Sequence, residues 1–83
     1  MAERLVTSLE RGLAQDAGTL SPREHQVLQL LAVGLDLGAV SRTMGIERVT
    51  ANRHLQNVYV KLGARSRTHA VVLGLQRGLV TLA

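Results

Sequence analysis

Glycine punctuates this chain at positions 18, 34, 45, 63 and 78, and each interval carries apolar residues three and four apart. That combination limits what the sequence can become. Apolar recurrence at i, i+3, i+4 and i+7 predicts amphipathic helices, and a strand would need alternation, which no segment shows. Glycine after the last periodic residue is the expected helix terminator, because only glycine takes a left-handed backbone without steric cost. The chain therefore reads as all-α: short helices joined by tight turns, with no internal repeats and no low-complexity tract.

The start signals agree with the stops. Ser21-Pro22-Arg23-Glu24 is a capping box with proline at the first helical position, followed by Val27, Leu28, Leu30, Leu31 and Val33 up to Gly34. Asp36 can cap a short helix running to Met44, with Val40 and Met44 turned inward and Gly38 weakening it. Gly45 then allows a sharp turn into a helix that ends at Gly63. A last helix begins near Ser66, runs to about Gln76 and stops at Gly78. Ahead of these, Leu5, Val6, Leu9 and Leu13 form one stripe, which predicts a linker or docking helix over 1–18. The expected architecture is a four-helix domain over 19–83 preceded by that N-terminal helix.

With 83 residues the chain is one small domain of modest stability. Its 46% hydrophobic content is nearly all Leu, Val and Ala, with Tyr59 the single aromatic residue. Such a core offers no aromatic platform for stacking single-stranded bases. There is no cysteine, hence no disulfide frame, thiolate metal site or cysteine nucleophile. No run approaches a membrane span and no signal-peptide layout opens the chain, so a cytoplasmic protein is expected. His25, His54 and His69 fall on three different helices without carboxylate or cysteine at ligand spacing, and Ser21 has no paired base. No metal, cofactor, small-molecule ligand or catalytic residue is expected.

The charge is distributed unevenly. Net charge is +4. Residues 1–36 are net acidic, whereas Arg42, Arg48, Arg53, Lys61, Arg65 and Arg67 face only Glu47 between positions 42 and 67. A solvated basic face and a polyanion-binding face would both look like this.

The helix ending at Gly63 favours the second. At about 100° per residue, Ala51, Leu55, Val58 and Leu62 form one inward stripe. Nearly opposite lie Val49, Asn52, Arg53, Gln56 and Val60, and beside them runs a polar line of Thr50, His54, Asn57 and Lys61. Arginine can bond guanine bidentately, Asn and Gln can bond adenine, and valine can touch a thymine methyl. The second line supplies hydroxyl, amide and cation, which suit phosphates. A short helix, a glycine turn and a second helix form a helix-turn-helix, with a recognition helix at about 48–62. The same scaffold also occurs in modules that bind proteins, so an acidic protein partner such as a polymerase subunit, or a sigma-factor-like segment, is the alternative.

From Leu20 to Val80 the sequence resembles the LuxR/GerE-type helix-turn-helix domain of bacterial transcriptional regulators. LSPREHQVLQLLAVGL (20–35) follows the pattern L-[ST]-x-R-E-x-x-V-L-x-L-x-A-x-G. AVSRTMGI (39–46) supplies the scaffold helix and turn. Thr50, His54, Asn57, Val58, Lys61, Leu62 and Gly63 fit T-x-x-x-H-x-x-N-[IV]-x-x-K-L-G, and RSRTHAV (65–71) follows. The resemblance implies binding of double-stranded DNA in transcription regulation, at the bacterial nucleoid, as a homodimer through the last helix. It places base reading on Asn52, Arg53 and Gln56. Phosphate contacts fall on Thr50, Lys61 and neighbouring basic residues, for which Arg42, Arg48, Arg65 and Arg67 are candidates beside His54 and Asn57.

On the last helix, Ala70, Val71, Gly74 and Leu75 are expected inward and His69, Val72, Leu73 and Gln76 outward, as the dimer face. RNA polymerase is a further candidate partner. The sequence departs from the family at Ala51 and Asn52, where valine and a cation are usual, and at Glu47, where Ser or Thr is usual. Signal input would have to lie outside this chain, which fits a stand-alone regulator or a C-terminal domain.

Overall fold

The computed structural model describes residues 19–82, so the helix expected over 1–18 lies outside the described residues. Within them are four helices and no strand: α1 (Pro22–Ala32), α2 (Leu37–Met44), α3 (Arg48–Leu62) and α4 (Arg67–Gln76). None is long and apolar enough to cross a membrane.

The helix starts follow from local chemistry. Ser21 Oγ accepts from the Glu24 amide at 3.2 Å while Glu24 Oε1 accepts from the Ser21 amide at 2.9 Å, completing the capping box. Asp36 Oδ1 accepts from the Ala39 amide at 2.8 Å, and Ser66 Oγ from that of His69 at 3.1 Å. Only Glu47, ahead of α3, makes no side-chain cap bond. Gly45, at φ 69°, folds the chain between α2 and α3, and its amide and that of Ile46 bond the last carbonyls of α2. Alanine there would carry the strain of a left-handed backbone.

Helix α3 packs against all three others, and α1 packs against α2 and α4 as well. Its inward stripe joins two clusters. Ala51 and Leu55 meet Val27, Leu31 and Val40 from α1 and α2. Val58 and Leu62 meet Leu28, Ala70 and Val80 from α1, α4 and the C-terminal tail. Tyr59 is packed against both clusters.

That tail is part of the core. Val80 is buried, and residues 79–81 are tied to α1. The Gln29 amide donates to the Thr81 carbonyl at 2.6 Å and accepts from the Thr81 amide at 3.1 Å, and His25 Nε2 bonds the Leu79 carbonyl. The tail and α1 come together over Gly74, where a Cβ would stand 3.0 Å from Leu28 Cδ2 and 3.1 Å from a Val80 methyl.

Two assignments on α4 change. Leu73, expected outward, is half-buried against the second cluster; Leu75, expected inward, is 36% exposed. The inward line runs through Ala70 and Gly74. At 100° per residue Leu73 falls about 60° from Ala70 and Leu75 about 140° from it.

Candidate nucleic-acid interface

Helix α3 presents an exposed ridge. Asn52, Arg53, Gln56 and Asn57 are exposed, and Val49 and Val60 are 65% and 79% exposed. Valines this open on a helix whose opposite side is fully packed are not core residues left unfilled. They lie beside amides and a guanidinium, the mixture that base edges in a major groove require. The stripe opposite, Ala51, Leu55, Val58 and Leu62, is buried throughout. The helix is thus held rigidly with this ridge outward.

The two flanks differ. On one, Arg42, Arg48 and Arg67, from three different helices, lie near enough to Asp36 for their charges to act on it. The Asp36 carboxyl lies below the ordinary carboxylate range, chiefly because it accepts from the Ala39 amide and further because of the charges of these three guanidiniums. All three, and Arg65, are exposed. These exposed guanidiniums, from the end of α2, the start of α3, the start of α4 and the loop before it, form an electropositive shoulder beside the ridge.

The other flank borders α1 and is largely closed. Thr50, His54 and Lys61 are half-buried, and only Asn57 of that line is open. Lys61 Nζ stands 2.6 Å from Glu24 Oε1, with side-chain exposures of 10% and 7%. Lys61 therefore turns toward α1 and not outward from the ridge. Asn57 and Val60 share an open depression with this pair.

Nothing local in the sequence announces Glu24 as its partner. The two residues are 37 apart, and Glu24 already has a sufficient role in the capping box. Burial pushes the Glu24 carboxyl up, but the hydrogen bond and charge of Lys61, with the bonds from Ser21, outweigh it and leave the pKa lowered. Its ionised form is thus favoured by folding. The stabilisation is complete above the ordinary carboxylate pKa and lost as pH falls through the lowered value. The urea midpoint is expected to hold from pH 7 down to about 5 and to fall below about pH 4. Glu24→Gln should flatten part of that acid slope.

His69, expected at a dimer face, is half-buried beside the loop between α3 and α4. Its Nδ1 accepts from the Arg65 amide at 3.1 Å, fixing the loop that carries Arg65. Val72, Leu75 and Gln76 remain exposed on α4, with Leu75 taking the place expected of Leu73. Arg77 donates to the Leu62 carbonyl at 3.4 Å, which supports the end of α3. Among the described residues no group of three or more His, Cys, Asp or Glu could hold a metal ion.

Known proteins resemble this chain in sequence and fold. Residues 18–73 match the family described as bacterial regulatory proteins, luxR family. The transcriptional regulatory protein YdfI of Bacillus subtilis is 38% identical over 63 residues, covering 76% of this chain and 30% of that protein. The transcriptional activator protein CarR of Pectobacterium carotovorum is 40% identical over 60 residues, covering 72% and 25%. The chain thus spans about a third or less of these relatives. A solved structure of the transcription factor GerE superposes with a TM-score of 0.72 at 30% identity, covering 77% of this chain and 96% of that one. The chain belongs to the luxR family of bacterial regulatory proteins, and its described residues form the all-α helix-turn-helix domain of that family.

Proposed function

We propose that this domain binds double-stranded DNA sequence-specifically and so regulates transcription, with α3 in the major groove. The observation that carries this reading is the exposed ridge of Val49, Asn52, Arg53 and Gln56 beside the guanidiniums of Arg42, Arg48, Arg65 and Arg67. The ridge supplies base discrimination and the shoulder supplies affinity. Thr50, His54 and Asn57 complete the contacts at the opposite edge of the helix. Lys61, already neutralised by Glu24, holds α1 to α3 instead of adding a phosphate contact. Two copies associate through Val72, Leu75 and Gln76 on α4, which sets two half-sites roughly 34 Å apart. The chain works at the bacterial nucleoid in the cytoplasm.

Selection of binding sites from random duplexes at two salt concentrations tests the reading, and a half-site motif is the expected return. Arg53→Ala should relax preference at one position and cost about 1–3 kcal/mol on the selected site. Arg42→Ala should instead weaken all duplexes alike and reduce the salt slope by about 0.9. The same loss for both variants on every duplex would contradict the division of labour. Binding indifferent to base sequence would favour an acidic protein partner.

A further inference from the structure

We propose that Glu47 is a specificity-determining residue whose carboxylate accepts a hydrogen bond from the exocyclic amino group of a cytosine at the edge of the half-site. This rests on the reading that α3 enters the major groove.

Glu47 occupies the cap position of α3 in extended backbone, φ −74° and ψ 154°, yet bonds none of the helix amides. The other three cap side chains, Ser21, Asp36 and Ser66, are each turned back onto their own helix and used there. Among the described residues the Glu47 carboxylate takes part in no ion pair either, and it is exposed. It is the single acid between Arg42 and Arg67. Its acceptors are therefore uncommitted at the end of the helix from which side chains of a recognition helix reach base edges.

An uncommitted carboxylate has a definite preference in that setting. Phosphates on either side repel it, and most base edges present acceptors that repel it further. Adenine pairs its amino group with the N7 acceptor, which suits a side chain that both donates and accepts, as Asn52 or Gln56 does. Cytosine presents its N4 amino group with no acceptor on the same base beside it, which suits a group that only accepts. A duplex with cytosine in reach recovers a charge-assisted hydrogen bond. Every other duplex offers the carboxylate no such donor from a base edge, so discrimination comes from rejection as much as from attraction.

Site selection with the full chain, its Glu47→Ala variant and its Glu47→Gln variant tests the assignment. The protein as it stands should return a half-site with cytosine at one edge position, preferred on the order of tenfold over other bases. Glu47→Ala should lose preference at that position alone, keep the rest of the motif and bind previously rejected duplexes more tightly. Glu47→Gln should move the preference there from cytosine toward adenine. Because the side chain makes no cap bond, both variants should keep the helical circular dichroism of the parent.

Identical motifs for all three proteins, with affinity raised evenly, would show a general repulsive charge and overturn the assignment. A parent chain that selects no motif would overturn the groove reading itself, and this assignment with it.

Discussion

Lys61→Ala should lose its folding transition near room temperature, or show a much lower urea midpoint, before any change in DNA binding can be measured. The substitution strands the Glu24 carboxylate, 7% exposed, with only Ser21 and solvent from the adjoining depression to satisfy it. Removing one partner of a buried pair costs about 3–5 kcal/mol, and the open depression places this case near the lower end. A folded domain holds only about 0.05–0.15 kcal/mol per residue, so that loss is a large part of the total.

Replacing both members of the pair together should cost far less than removing one, because two charges withdrawn from water give up much of what their attraction returns. The double change Glu24→Gln with Lys61→Met should therefore recover most of the midpoint. The side-chain oxygen of the introduced glutamine still accepts from the Ser21 amide, and the methionine stem refills the space of the lysine. The recovered protein should also keep the parent salt dependence on DNA, since Lys61 contributes no unpaired charge to release counterions. A double variant that folds but shows a salt slope reduced by about 0.9 would return Lys61 to the phosphate contacts.

Leu28→Ala is expected to be nearly as damaging, at about 2–5 kcal/mol in thermal or urea unfolding. Among the described residues Leu28 is the largest fully buried side chain, and it stands at the junction of α1, α4 and the tail. The space it fills has no ready substitute, since Gly74 brings no side chain and Val80 already reaches in from the other side.

The same geometry makes a second substitution informative. In the parent protein Gly74→Ala gains helix propensity of about 0.5–1 kcal/mol but presses a methyl to 3.0 Å from Leu28, so its net effect should be neutral or unfavourable. In the Leu28→Ala background the same methyl enters the vacated space, and Gly74→Ala should become stabilising. Equal effects in the two backgrounds would mean that the helices move together when Leu28 is cut back, and that the close approach at Gly74 is not what sets the packing.

The position of the candidate interface was readable early because everything it needs is local. Thr50, His54, Asn57 and Lys61 share a line, and Val49, Arg53, Gln56 and Val60 another, through the helix period alone. The buried set Ala51, Leu55, Val58 and Leu62 then fixes which side is outward. What the residues on each line do was less readable. Lys61 looked like its neighbours on the polar line until α1 brought Glu24 against it. The helix pattern bears only on which side of α4 His69 takes, and does not show its bond from the Arg65 amide across the loop. The exchange of Leu73 and Leu75 has the same origin: α4 is too evenly apolar for its own pattern to select a side, and the approach of α1 to Gly74 selects it.

By itself the sequence determined where the described helices begin and end, that α2 and α3 form a helix-turn-helix, and which ridge of α3 is free. Those features rest on side chains bonding amides three residues away, on glycines in left-handed turns and on apolar residues a turn apart, all within reach of a single segment. Only the tertiary structure decided that Glu24 claims Lys61 from 37 residues away, and that Gln29 ties down Thr81 from 52. It also decided that Val80 completes the core. Each of these depends on how whole helices pack, and no local pattern encodes which distant partner a buried charge or amide will meet.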